Sequence, residues 1–127
     1  MSPHIEQARA LLAAAQRDRL TFRILRREPD APIETTLFHA QQTVEKALKS
    51  VLVCHGIVFP RTHDLIELLG LASHQSLAVP IDRNLVARLG PYAVEFRYLG
   101  VEAPEVSLSE ADASVETVMA WAEAQLV

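Results

Sequence analysis

With 127 residues, half of them hydrophobic and 22% charged, the chain has the size and composition of a single packed domain, expected to span residues 1–127, and a disordered tail is excluded. Four Gly, seven Pro and one Cys rule out a collagen-like repeat, a disulfide framework and a zinc ribbon. The formal net charge of −4 argues against a dedicated, strongly basic nucleic-acid binder, though a local Arg stripe still suits a salt-sensitive phosphate contact.

That charge is unevenly spread. Residues 1–28 carry six Arg against Glu6, Asp18 and Glu28, whereas from Tyr98 onward there are six acids and no Lys or Arg. Apolar runs such as Val51-Leu52-Val53-Cys54 are too short to span a bilayer, and charges within residues 1–20 interrupt the apolar core that a secretory signal needs. A cytoplasmic location follows as the expectation, with Cys54 a reduced, buried, small hydrophobe.

Nearly every segment has a helical period, and no run of strict alternation is long enough to predict a strand. Residues 4–28 contain neither Pro nor Gly and place Ile5, Ala8, Leu12, Ala15 and Phe22 near one side, so a long first helix should end at Pro29-Asp30-Ala31-Pro32. A second helix is predicted from about Ile33 to His55, stopped by Gly56 at a C′ position. After the link 57–62, Thr62 is the expected N-cap of a short third helix with Asp64 in its first turn and Leu65, Ile66, Leu68 and Leu69 on its buried face.

A fourth segment keeps Leu85, Leu89, Tyr92, Phe96 and Leu99 in one stripe from about Ile81 to Leu99, with Gly90-Pro91 predicting a kink or a restart. The last helix is expected to open at Ser109-x-x-Asp112, a capping-box variant, and to bury Ala111, Val115, Val118, Ala122 and Leu126. The fold class is therefore all-α, an up-and-down bundle of four to five helices joined by short connections.

Turned by about 100° per residue, the second helix has an apolar arc of Leu37, Phe38, Ala40, Val44, Ala47, Leu48, Val51 and Leu52, with His39 and Lys46 opposite. Gln41 and Glu45 fall inside that arc. A carboxylate there must be paired, hydrogen-bonded or protonated, because burying it bare costs several kcal/mol or more. Arg97, on the edge of the fourth segment's stripe, is the expected partner through its two-pronged guanidinium, with Gln41 completing the cluster. Two readings stand: a structural network that fixes helix register, or a polar pocket for a ligand. Lys49 and Gln42 lie on the rim, as interface contacts or solvated side chains.

Phe38-His-Ala-Gln-Gln-Thr-Val-Glu-Lys-Ala-Leu-Lys49, then Phe59-Pro-Arg-Thr-His-Asp-Leu65, then Phe96-Arg-Tyr98, in this order and at these spacings, resembles the HEPN domain, named for nucleotide binding in higher eukaryotes and prokaryotes. The resemblance spans about residues 5–126 and is to the small prokaryotic stand-alone type. It implies a bundle that commonly forms a homodimer and is often encoded beside a minimal nucleotidyltransferase, in a toxin–antitoxin arrangement. Many members of the wider superfamily are metal-independent ribonucleases, which rely on an Arg followed, after four to six residues, by a His. No Arg here has a His at that distance: Arg61-Thr62-His63 leaves one residue between, and no His follows Arg97.

Arg61, His63 and Asp64 sit where a loop enters a helix, a place where free amides can hold a phosphate or where simple capping suffices. Cys54, His55 and His63 lack metal-ligand spacing, so no metal and no cofactor are expected. Arg19, Arg23, Arg26 and Arg27 share a face of the first helix, as an RNA or acidic-partner contact or as a solvated face with intrahelical pairs. Met119 and Trp121 suit a core or dimer interface better than a cofactor box, and no glycine-rich phosphate loop or paired-Asp nucleotidyltransferase signature occurs.

The expected function is thus a nucleotide-, RNA- or partner-binding protein paired with a separate minimal nucleotidyltransferase, through Gln41, Glu45, Lys49, Arg61, His63, Arg97 and Tyr98. The alternative is a metal-independent ribonuclease toxin that uses Arg61 and His63. A third reading is a structural dimer module in which the cluster only sets register.

Overall fold

The structure, a computed structural model, describes residues 3–94 and 104–127. Five α-helices are present among them: α1 (Pro3–Leu25), α2 (Ile33–Cys54), α3 (Leu65–His74), α4 (Arg83–Leu89) and α5 (Leu108–Gln125), with a 3₁₀ turn over Gly90–Ala93. No strand occurs among the described residues. The fold is the all-α bundle that the periodicity predicts.

The central element is α2. From Ala40 to Val53 it is buried almost all round, with Ala40, Val44, Ala47, Leu48, Val51 and Leu52 fully inaccessible. It packs along α1 on one side and α5 on another, while α3 and the 3₁₀ turn cover further parts of it. Ion pairs give the directions. Arg19 reaches Glu123 and Glu116, Arg23 reaches Glu116, and Arg26 reaches Asp112, so α1 and α5 run in opposite senses. The C-terminal end of α2 meets the same end of α5, where His55 Nε2 lies 3.2 Å from Gln125 Oε1. Hence α1 and α2 are antiparallel, as the short connection between them requires.

These contacts also resolve the Arg stripe. Arg19, Arg23 and Arg26 pair across to acids of α5 instead of with neighbours on their own helix, so the sequence's basic first part and acidic last part neutralise each other along one seam. Arg27 has no ion pair among the described residues.

Helix ends follow local chemistry, with three departures from expectation. First, α1 stops at Leu25, and residues 26–28 continue as a turn that closes onto Phe22, Ile24 and Leu25 carbonyls. Second, Asp64 and not Thr62 caps α3: its Oδ1 accepts from the Ile66 and Glu67 amides at 3.0 and 3.2 Å, and Thr62 Oγ1 accepts from the Asp64 amide. Asp64 immediately precedes the first helical residue, so its short carboxylate reaches the free amides directly. Third, the capping box of α5 is Ser107 with Glu110, not Ser109 with Asp112. Ser107 Oγ accepts from the Glu110 amide and Glu110 Oε2 accepts from the Ser107 amide, each at 3.0 Å. The longer Glu side chain spans back to the cap amide, and buried Val106 pins the chain just before it.

At the other end of α2, Gly56 takes φ 70°, and Ile57 N–H donates to Leu52 O while Gly56 N–H donates to Val53 O. This is the Schellman closure that the glycine position predicts. The same closure ends α3, with Ser76 at φ 62° where a glycine would be relaxed. The predicted fourth helix is divided: α4 ends at Leu89, and the chain tightens into the 3₁₀ turn with Pro91 near its start. Phe96, Arg97, Tyr98 and Leu99 lie outside the described residues.

Arg88, in the last turn of α4, ties this helix to the start of α5. Its guanidinium donates to both Glu110 carboxylate oxygens and to Glu105 O. The bond from Arg88, followed by the Ser107 backbone bond, holds the Glu110 carboxyl down at about 2, against an ordinary 4.5. A pKa depressed in the folded state contributes stability above the ordinary value and loses it as the pH falls toward the folded one. Melting temperature measured against pH should therefore fall between about 4.5 and 2 in the parent chain, and the Glu110→Gln variant should show a flatter acid limb over that window. Identical acid limbs would remove this role from Glu110.

Candidate functional site

Along α2, Gln41, Glu45 and Lys49 recur every fourth residue and so share one face. Glu45 is buried, its side chain only 3% exposed, and the cost of that burial is offset by donors on every side. Gln41 Nε2 donates to Oε1 at 3.0 Å and Lys49 Nζ to Oε2 at 3.0 Å. His63 Nδ1 lies 3.0 Å from both oxygens. Fully buried Gln41 is itself satisfied, because its Oε1 accepts from Gln42 Nε2 at 2.7 Å and its amide also faces His63 O at 3.4 Å. Lys49 further lies 5.8 Å from the centroid of the Phe59 ring.

The required partner for Glu45 therefore exists, and among the described residues it is Lys49 and His63 with Gln41. Arg97, the partner expected from the sequence, lies outside the described residues, as does Tyr98. The i, i+4 spacing of Glu45 and Lys49, with the acid on the N-terminal side, was the available signal for the first of them. For His63 the signal was weaker: a histidine two residues after Pro60-Arg61, in a link whose path periodicity does not predict.

The Glu45 carboxylate fixes the chemistry of the His63 ring. A carboxylate only accepts, so Nδ1 carries the proton whether the ring is neutral or charged, and the neutral ring presents Nε2 as an acceptor. The His63 side chain is 61% exposed, so that nitrogen sits on an accessible group anchored from beneath by a buried one. Arg61 is exposed and has no hydrogen bond or ion pair among the described residues.

The anion site imagined at the start of α3 is already filled: Asp64 itself takes the Ile66 and Glu67 amides, which leaves no room there for a phosphate. Beside it opens a cavity of about 370 Å³ between α3, α4 and the 3₁₀ turn, with His63 and Asp64 on its lining next to Leu65, Ile66, Val86 and Pro91. Gln41, Glu45, Lys49 and His63 are thus one connected cluster, and Arg61 adjoins it in sequence.

A second polar group lies on the opposite side of α2. His39 and Lys46 face α1, where Asp18 accepts from Lys46 Nζ at 2.6 Å and lies 2.9 Å from His39 Nδ1. These three close on each other between two helices and register α1 against α2. Cys54 is half-buried and free, not fully buried as expected, with Sγ 3.9 Å from Gln125 O. Met119 is fully buried and Trp121 packs against the core. No helix among the described residues is long and apolar enough to cross a membrane.

No curated protein and no solved structure matches this chain significantly. A family model does, and its match spans residues 4–125, taking in the α2 ladder, the Pro60–Asp64 link and every described helix of the bundle; the chain belongs to the HEPN domain family.

Proposed function

We propose that this chain is the nucleotide- or RNA-binding component of a two-part system, paired with a separate minimal nucleotidyltransferase and dimerising with a second copy of itself. The observation that carries the binding half is the exposed His63 ring held by buried Glu45, at the edge of a cavity and two residues from the cation Arg61, which is unpaired among the described residues. Buried groups pre-organise this surface, which lowers the entropy lost when a ligand docks. Arg61 supplies the phosphate contact, because its fork matches two phosphate oxygens and Lys49 is already committed to Glu45. The family supports nucleotide or RNA as the ligand class.

Fluorescence anisotropy with a labelled single-stranded RNA and with a nucleotide tests this. Binding should weaken with added salt, Arg61→Ala should lower affinity by about tenfold, and His63→Ala should lower it as well. Affinities unchanged in both variants would overturn the assignment of the site. The nucleotidyltransferase pairing is tested by recovering the tagged chain from its own cells, where a near-equal amount of that enzyme is the expected result and the homodimer alone the opposing one.

One observation favours a second reading, the metal-independent ribonuclease. A carboxylate-held imidazole on a largely exposed side chain is a proton-transfer arrangement. Nε2 would take the proton from a ribose 2′-OH as that oxygen attacks phosphorus, the P–O5′ bond breaks and the 5′-oxygen leaves with a proton from water, with Arg61 stabilising the added negative charge. RNA cleavage that survives both Arg61→Ala and His63→Ala would sink this version.

A further inference from the structure

Two consecutive residues that line the cavity between α3 and α4, His63 and Asp64, each keep one acceptor atom without a partner among the described residues. Asp64 spends Oδ1 on the Ile66 and Glu67 amides, and its Oδ2 makes no hydrogen bond among the described residues. His63 spends Nδ1 on Glu45, and its Nε2 likewise has none. Both residues line the cavity, and the wall behind them is apolar, built by Leu65, Ile66, Val86 and Pro91. At about 370 Å³ the space lies within the range of roughly 300–1,000 Å³ that small-molecule sites occupy. Apolar walls with a few polar groups at one edge suit a flat ring that carries its hydrogen bonds on one side.

We infer that this cavity seats a nucleobase and that the His63–Asp64 rim selects guanine. The inference rests on the nucleotide- or RNA-binding reading above and names the part of the ligand that the cavity takes. Acceptors carried by consecutive residues at one rim call for two adjacent donors on the ligand. Guanine alone among the four RNA bases offers them on its pairing edge, as N1–H beside the exocyclic N2 amine. Adenine and cytosine place an acceptor next to their amino group, and uracil flanks its single N–H with carbonyls. Each of those bases would set an acceptor against an acceptor here, and a site built for a donor discriminates strongly against a ligand that lacks it. Division of labour follows: the rim reads the base, and Arg61 contacts phosphate.

The test is calorimetric titration of the full chain with guanosine, inosine, adenosine and cytidine at about pH 8, well above the ordinary imidazole range. Guanosine should bind about tenfold or more tightly than inosine, which lacks only the 2-amino donor. Asp64→Asn keeps an oxygen for the α3 cap but puts an NH₂ donor where Oδ2 stood, so the preference for guanosine should vanish while thermal unfolding stays unchanged. Ala87→Phe, at an exposed position of α4 that lines the same cavity, should abolish nucleoside binding by filling it.

Equal affinities for the four nucleosides, or a guanosine preference that survives Asp64→Asn, would overturn the inference. RNA binding that depends on Arg61 but shows no base preference would overturn it and leave the general binding reading intact. Failure of both nucleosides and RNA to bind would remove both.

Discussion

Glu45→Ala should lower the free energy of unfolding by about 3 kcal/mol in a urea or guanidinium titration. Three groups lose their acceptor at once, and they differ in how easily they recover. His63 is 61% exposed and returns to water at little cost. Lys49 is 15% exposed, and its four-carbon stem lets the ammonium move outward to solvent, so part of its loss is regained. Gln41 is fully buried, and its amide keeps only the long contact to His63 O, which leaves a donor unsatisfied at a cost of about 1–3 kcal/mol. The expected total therefore sits at the lower end of what breaking a buried pair costs.

Glu45→Gln should cost less than Glu45→Ala, since it keeps one acceptor oxygen, although it removes the charge that Lys49 answers and sets an NH₂ donor against the donors that met the other oxygen. Adding Lys49→Met to Glu45→Gln should recover much of that loss, because the uncompensated cation is removed with it. A Glu45→Ala change of less than about 1 kcal/mol would mean the cluster is not holding the helices. The same variants separate stability from binding. If the cluster only sets register, Glu45→Gln changes the unfolding midpoint and leaves RNA affinity alone; if it positions His63, affinity falls while the folded fraction is still complete.

The bundle was legible because its signal is repeated along the chain. Ala8, Ala15 and Phe22 in α1 and Ala111, Val115, Val118 and Ala122 in α5 are each fully buried where a 3.6-residue period puts them. Gly56 was legible because positive φ is a strong local demand. Caps were less so. Ser107 and Ser109 both stand three residues before an acid, and only the reach of Glu110 against that of Asp112 separates them. The site was half legible. Periodicity alone requires Glu45 to have a partner, but the identity of that partner depends on where an irregular link places His63, which no period reports. The α1–α5 seam was not legible for a similar reason: charges on one helix do not say whether their partners lie on the same helix or on one far along the chain.

Phe22→Ala should be the costliest single change in α1, at about 4 kcal/mol by denaturant titration. Phe22 is fully buried, and its truncation loses both the transfer free energy of the ring and the contacts of the space left behind. Arg26, whose guanidinium carbon lies 6.0 Å from the ring centroid while it pairs with Asp112, loses its platform as well. By contrast, the Arg23–Glu116 pair, at 2.6 Å, is the shortest on the same seam, yet its partners are 42% and 39% exposed. Water screens such a pair, and holding two long side chains in one geometry costs entropy, so Arg23→Ala should change stability by only about 0–1 kcal/mol. The ion pairs then act on direction, favouring α5 antiparallel to α1, while the ring supplies the energy that keeps α1 on the bundle. Comparable losses for Phe22→Ala and Arg23→Ala would reverse that assignment and make the charged seam the principal attachment of the first helix.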